Sequence, residues 1–91
     1  MKLPEEAIAR ELAATAGWSR DGDAISRIWR FDDFKAAMLF VNGVAALAEK
    51  ANHHPDIAIH YSEVTLRLWS HDAGGLTARD FALARTIGTT R

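Results

Sequence analysis

Four histidines, His53, His54, His60 and His71, are the side chains of this sequence best suited to proton-transfer chemistry. An unperturbed imidazole has a pKa of about 6.5, so it can both donate and accept a proton at neutral pH. His53 and His54 are adjacent and precede Pro55, which is uncommon at the end of a helix, and His71 enters a glycine-rich turn. This pattern indicates general acid–base chemistry at the rim of a fold.

Each histidine also has an interpretation that involves no chemistry. His53 could bond the last carbonyls of a helix, and His71 could be a surface residue in a polar turn. His60 lies at the end of a predicted strand and is interpreted as structural or solvated. A zinc or iron site from His53, His54 and His71 is conceivable, but no H-E-x-x-H or other ligand spacing is present. We therefore expect no metal.

Asp80 and Trp69 each have two interpretations as well. Thr77 and Asp80 have the spacing of a capping box at the start of a helix, which favours a structural role for the carboxylate. Trp69 lies on the open face of a predicted strand. It could serve there as a stacking platform for a flat ring, or simply pack in an interface.

The composition of the 91-residue chain excludes several other classes of protein. Hydrophobic residues make up 48% and charged residues 25%, which excludes intrinsic disorder. The chain has no cysteine, so thiolate catalysis, disulfides and cysteine-bound metals are excluded. Eleven basic residues against 12 acidic ones give a net charge of −1, which offers no footprint for nucleic acid or an anionic membrane. We find no P-loop, G-x-G-x-x-G or G-x-S-x-G motif.

The sequence shows no signal for membrane insertion or for secretion. No apolar run approaches the roughly 18 residues of a transmembrane helix. The first residues turn acidic at once and lack the apolar stretch of a signal peptide. We expect a soluble cytoplasmic protein whose chemistry uses histidine, carboxylate, hydroxyl or backbone groups.

Three helices and four strands are predicted to position these side chains within one domain of residues 1–91. Capping residues, turn signals and apolar periodicity place the helices at about 4–16, 33–52 and 78–87, with Asp32 or Asp33 as the cap of the second helix. They place the strands at about 18–20, 24–31, 57–61 and 63–70, followed by a loop at 71–75. Side chains alternate along the last strand, with one face made of Val64, Leu66 and Leu68 and the other of Glu63, Thr65, Arg67 and Trp69. The order α-β-β-α-β-β-α predicts an α+β fold, with the helices on one face of a four-stranded antiparallel sheet.

The second helix carries more apolar surface than a thin core requires. It has two adjacent apolar stripes, one of Phe34, Met38, Val41, Ala45 and Ala48 and one of Ala37, Phe40, Val44 and Leu47. We predict that one stripe faces the sheet and that part of the other faces a second copy of the protein.

The spacing of the candidate residues resembles the signature of the pterin-4a-carbinolamine dehydratases. Three residues separate Glu49 from His53-His54-Pro55, then five precede Tyr61, nine precede His71 and eight precede Asp80. Further similarity extends from about residue 17 to residue 87, including Gly17-Trp18 and the segment His71-Asp-Ala-Gly-Gly-Leu-Thr77. The fold of that family has the same α+β order as the one predicted above from periodicity.

The resemblance implies the dehydration of 4a-hydroxytetrahydrobiopterin, or a related 4a-hydroxytetrahydropterin, to quinonoid dihydropterin and water. It implies no metal and no organic cofactor. By resemblance, His53 and His71 are the proton-transfer pair and His54 chiefly orients the pterin. The implied substrate-binding set is Asn52, His53, His54, Pro55, Ser70, His71 and Asp72, with Glu49 and Asp80 as supporting residues.

The resemblance also implies partners. Family members form homo-dimers or homo-tetramers, and their substrate is the spent pterin of an aromatic amino acid hydroxylase. An alternative function is a pterin-binding, regulatory or dimerisation module with little turnover, because animal members also act as dimerisation cofactors of a homeodomain transcription factor. A support role in molybdopterin metabolism would share the pterin ligand.

Two positions depart from the family pattern. Ile57 stands where an aromatic residue often follows the His-His-Pro segment, and Trp69 stands where animal members have a small hydroxyl residue. The group that stacks on the pterin is therefore expected to differ, which affects the preference for the pterin side chain rather than the reaction.

Overall fold

The computed structural model of the chain describes residues 1–89. The predicted order α-β-β-α-β-β-α is confirmed. The elements are α1 (Glu5–Ala13), β1 (Ser19–Asp21), β2 (Ala24–Arg30), α2 (Phe34–Ala51), β3 (Asp56–His60), β4 (Glu63–Leu68) and α3 (Ala78–Gly88), with a 3₁₀ turn at His71–Ala73 between β4 and α3. Thr90 and Arg91, which the predicted domain includes, lie outside the described residues.

The four strands form one antiparallel sheet in the order β1-β2-β4-β3. Trp29 pairs with Val64, and Ile25 pairs with Leu68, so these side chains share the face that packs against the helices. All four are buried, as is Leu66 between the two pairs. The alternation predicted for β4 is confirmed, because Val64, Leu66 and Leu68 are buried and the residues between them are partly exposed.

Helix α2 begins at an N-cap and covers the apolar face of the sheet. Asp33, one of the two predicted caps, accepts a hydrogen bond from the backbone N–H of Ala36 at 2.8 Å. The predicted stripe containing Ala37, Phe40 and Val44 turns into the core, and Val41 and Ala48 of the other stripe are buried as well. Phe34 and Leu39 are 49% and 66% exposed. The contact of α2 with a second copy of the protein stays a prediction.

The ends of several elements differ from the predicted ones. Helix α1 ends at Ala13 rather than at residue 16, because the chain turns before β1. In this turn Gly17 has a φ of +90°, which a residue with a side chain rarely adopts. Strand β4 ends at Leu68, but Ser70 still bridges to Gly75, and this bridge closes the loop that contains the 3₁₀ turn. Within residues 1–89, no helix is both long and apolar enough to cross a membrane.

The packing of β4 leads to a stability prediction. We expect Leu66→Ala to lower the free energy of unfolding by about 2–5 kcal/mol, because a fully buried side chain leaves a cavity. Ile28→Ala is the control, because Ile28 is 47% exposed on the opposite face of the sheet, and it should cost about 1 kcal/mol or less. Urea unfolding followed by circular dichroism measures both values, and equal losses would contradict this assignment of the core.

Candidate active site

The end of helix α2 sends its two consecutive histidines in different directions. Asn52 adopts a left-handed conformation with φ 50° and ψ 42°, which asparagine tolerates better than most residues. The backbone N–H of His53 then bonds the carbonyl of Ala48 at 3.1 Å, which closes the end of the helix. After this turn His53 is only 8% exposed, whereas His54 is exposed.

His53 is tied to a buried carboxylate at the start of α3. Its Nε2 lies 2.5 Å from Oδ1 of Asp80, a residue with no exposed surface. The other oxygen, Oδ2, accepts hydrogen bonds from the Ser70 hydroxyl and from the backbone N–H of Thr77, both at 2.9 Å. These partners compensate a charge that would be costly to bury alone.

The capping box predicted from Thr77 and Asp80 is confirmed, and the same carboxylate also contacts His53. The two oxygens have different partners, since Oδ2 accepts the hydrogen bond of the helix cap and Oδ1 contacts the imidazole. The structural and the supporting interpretation of Asp80 are therefore compatible.

The bond to Asp80 assigns the tautomer of His53. A carboxylate at Nε2 favours a proton on that nitrogen, which leaves Nδ1 as the acceptor of the neutral ring. When Nδ1 carries a proton it becomes a donor, and the bond between Nε2 and Asp80 is kept. The same nitrogen can therefore take or give a proton while the ring keeps its orientation.

His54 has its own carboxylate on the surface. Its Nε2 lies 2.5 Å from Oε2 of Glu49, one helical turn earlier, and the two side chains are 55% and 77% exposed. An exposed pair of this kind adds little to stability. It does restrict the rotation of the His54 ring.

His71 is held differently from the other two histidines. It begins the 3₁₀ turn after β4, and its imidazole lies against the indole of Trp69 with 3.9 Å between the ring centroids. Among residues 1–89, its side chain makes no hydrogen bond. The next residue, Asp72, accepts a hydrogen bond of 2.7 Å from Nη2 of Arg79, which ties the turn to the first turn of α3.

The three imidazoles line one open cleft of about 440 Å³. Its lining residues are Asn52, His53, His54, Pro55, Asp56, Trp69, His71, Asp72 and Arg79. Six of these are in the substrate-binding set that the sequence predicts. Ser70 is the member that does not line the cleft, because it is 1% exposed and its hydroxyl bonds Asp80 behind His53.

Sequence reasoning did not single out Asp56 or Arg79, which also line the cleft. Asp56 follows the His-His-Pro segment directly, so its position beside that segment was the available signal. Arg79 lies between the two capping-box residues on the outer side of the helix. No motif marks it, because its role depends on where the loop of His71 folds.

A larger groove of about 500 Å³ lies between α2 and α3. Its lining is mainly aliphatic and includes Leu47, Ala51, Ala82 and Leu83. His53 is the one imidazole that it shares with the cleft. The cleft, with three imidazoles, is therefore the candidate active site. In the described part of the chain, no group of three or more His, Cys, Asp or Glu residues is arranged to hold a metal ion.

The chain is a small α+β protein in which three imidazoles line one cleft. A model of the pterin 4 alpha carbinolamine dehydratase family matches residues 1–90, and the chain belongs to this family. A relative from Thermomicrobium roseum, provisionally named a pterin-4-alpha-carbinolamine dehydratase, is 52% identical over 86 residues, covering 94% of this chain and 92% of the relative. A provisionally named relative from Sulfurisphaera tokodaii is 45% identical over 86 residues, with the same coverage of both chains.

Solved structures agree with this assignment. A crystal structure from Brucella melitensis, described as a transcriptional coactivator/pterin dehydratase, superposes with a TM-score of 0.93 at 33% identity over 98% of this chain and 97% of that one. A pterin dehydratase-like protein, described as a RuBisCO assembly factor in the alpha-carboxysome, has a TM-score of 0.64 at 19% identity over 79% of this chain and 83% of that one. This second likeness shows a shared fold.

The contact between Asp72 and Arg79 leads to a prediction about protonation. The hydrogen bond from Arg79 holds the pKa of the Asp72 carboxyl below its ordinary value of 3.8. Because the folded pKa is the lower one, the pair stabilises the turn at neutral pH, and this contribution is lost as the pH falls through that pKa. We expect Arg79→Gln to raise the pKa of Asp72, as measured by carbon NMR of the carboxyl.

The control for this titration is Arg85→Gln, because Arg85 pairs with Glu11 on α1 and not with Asp72. This variant should leave the titration of Asp72 unchanged. If Arg79→Gln also left it unchanged, the turn of His71 would not be tied to α3 in solution.

Proposed function

We propose that this protein dehydrates a 4a-hydroxytetrahydropterin, such as 4a-hydroxytetrahydrobiopterin, to quinonoid dihydropterin and water. The observation that carries the proposal is the meeting of His53, His54 and His71 at one cleft, with His53 fixed by a buried carboxylate. Membership of the pterin 4 alpha carbinolamine dehydratase family supports the same reaction.

The reaction needs two proton transfers. The bond between C4a and the hydroxyl oxygen breaks, and the oxygen gains a proton so that it leaves as water rather than as hydroxide. The proton on N5 is lost, and its bonding electrons form the C4a–N5 double bond. General acid–base catalysis typically accelerates such steps by about 10²–10⁴-fold, which suits a substrate that already dehydrates slowly in water.

His53 and His71 are the proposed proton-transfer pair. Nδ1 of His53, the acceptor of the neutral ring, takes or gives a proton while Asp80 holds the ring through Nε2. Ser70 acts through Asp80 rather than by touching the substrate. One turnover leaves the number of protons on the pair unchanged, because the proton taken from N5 replaces the one given to the leaving oxygen.

Four further residues of the cleft are proposed to bind and orient the pterin. His54, held by Glu49, contacts the ring of the substrate, and Asn52, Pro55 and Asp72 line the same cleft. Polar groups at this edge can bond the pyrimidinone side of a pterin. No metal or organic cofactor is part of the proposal.

The proposal includes a cellular setting. The substrate is the form in which an aromatic amino acid hydroxylase leaves its tetrahydropterin, so the protein would work in the cytoplasm as a recycling partner of such an enzyme. No contact with nucleic acid or a membrane is proposed.

Self-association into a homo-dimer or homo-tetramer is also proposed. Phe34 and Leu39 expose apolar surface on α2, and Ile57 and Ile59 are each 38% exposed on β3, a strand at the edge of the sheet. Exposed apolar surface and an unpaired strand edge both favour contact between copies.

A pterin-binding or regulatory module is the second candidate. The Brucella melitensis protein is described as both a coactivator and a dehydratase, which supports a non-catalytic role as the second candidate. The two candidates differ in turnover, because a binding module needs the cleft but not proton transfer.

Turnover is tested by generating the carbinolamine with a hydroxylase and following quinonoid formation by absorbance. We expect clear acceleration by the wild type, and at least about a tenfold loss of kcat in His53→Ala and in His71→Ala, because each removes a proton carrier. His60→Ala is the matched control. His60 lies at the end of β3, is absent from the cleft lining, and should retain wild-type activity.

Three results of this assay would count against the proposal. Full activity in His71→Ala would remove that residue from the chemistry. A loss in His60→Ala equal to that in His53→Ala would mean that the effects are not specific to the cleft. A wild type that binds a pterin without accelerating the reaction would favour the module.

Self-association is tested by size-exclusion chromatography with light scattering. We expect a mass of two or four chains for the wild type. Leu39→Asp should lower this mass, because it puts a charge on the exposed apolar part of α2. Arg10→Asp on α1 should leave the mass unchanged. A wild type that stays monomeric at all concentrations would contradict the proposed assembly.

A further inference from the structure

The three imidazoles of the cleft are not held by the same kind of partner. His53 and His54 each bond a carboxylate, from Asp80 and Glu49. His71 has no such bond among the described residues, and the adjacent carboxylate, Asp72, is engaged by Arg79. An exposed ring at the start of a short turn would be free to change rotamer unless something else restrained it.

The indole of Trp69 supplies the contact that His71 otherwise lacks. The two ring centroids are 3.9 Å apart and the ring planes meet at 40°. Trp69 lines the same cleft as His71. Its Nε1 is buried and has no hydrogen-bond partner in residues 1–89, so the flat apolar ring, and not the N–H donor, makes the contact.

Trp69 is in turn contacted by Arg67, a residue of β4. The guanidinium carbon of Arg67 lies 5.8 Å from the centroid of the Trp69 ring, within the range of a cation–π contact. Arg67 is in turn held by Asp21 on β1 at 3.0 Å and lies 3.9 Å from Asp56 on β3. A line of contacts on the open face of the sheet therefore connects β1, β4 and β3 to His71.

We propose that Trp69 is a positioning residue for His71, whose imidazole it holds at the rim of the cleft by ring-to-ring contact. The inference rests on the proposed dehydration and extends it to this residue. The area of the indole that faces His71 is occupied by the imidazole. A flat substrate cannot stack on that same area, which favours the positioning role over a platform for the pterin.

Kinetics of Trp69→Leu and Trp69→Phe test the role in catalysis. Leucine keeps an apolar side chain but removes the aromatic face, so kcat should fall by roughly 10–100-fold as the His71 ring loses its orientation. KM should change by less than about twofold, because binding is left to other residues. Phenylalanine keeps an aromatic face and should restore most of kcat.

Proton NMR of the ligand-free protein tests the contact independently of turnover. In the wild type we expect nuclear Overhauser effects between the His71 and Trp69 ring protons, and upfield ring-current shifts of the His71 resonances. Trp69→Leu should move these resonances downfield, and Trp69→Phe should largely preserve the upfield shift. The resonances are assigned by their loss in His71→Gln, and circular dichroism checks that each variant is folded.

The outcomes separate the inference from the function on which it rests. A raised KM with an unchanged kcat in Trp69→Leu would mean that the indole binds the substrate, which overturns the positioning role. Missing Overhauser effects in the wild type would overturn it even if Trp69→Leu failed to fold. A wild type with these effects but no dehydration would refute the proposed function while leaving the ring contact established.

Discussion

A carboxylate without exposed surface must have its charge compensated on all sides, and Asp80 meets this requirement with three partners from three parts of the chain. The Ser70 hydroxyl comes from the segment that follows β4, the Thr77 amide from the start of α3, and His53 from the end of α2. Removal of a single partner from a buried charge typically costs several kcal/mol. The relative placement of these three segments therefore depends on one side chain.

The cleft is a consequence of that placement. Once the end of α2 meets the start of α3, the left-handed Asn52 turns His53 inward and leaves His54 at the surface, and the loop after β4 brings His71 to the same opening. The three rings then differ in restraint. His53 is fixed in the interior, His54 is steered by an exposed partner, and His71 rests on an aromatic side chain.

Much of this arrangement could be predicted from sequence, because it depends on local signals. The Asp33 cap, the alternation along β4 and the spacing of Thr77 and Asp80 each specify structure within a few residues, and all three are confirmed. Contacts set by tertiary packing could not be predicted in this way. Ser70 continues the alternation of β4, since it is buried like Leu66 and Leu68, but its bond to Asp80 forms only because α3 packs beside it. Arg79 reaches the site only because the loop folds back onto α3.

Asp80 both caps α3 and contacts His53, which affects how its presence in other members of the family should be interpreted. A descendant that abandoned dehydration would still require an acidic side chain at this point to begin its last helix and to accept the Ser70 hydroxyl. Retention of the aspartate is therefore a poor marker of surviving catalysis. His54 and His71 are more informative, because neither contacts the buried carboxylate and the loss of either would leave its charge compensated. His53 is less informative, because it is itself a partner of Asp80.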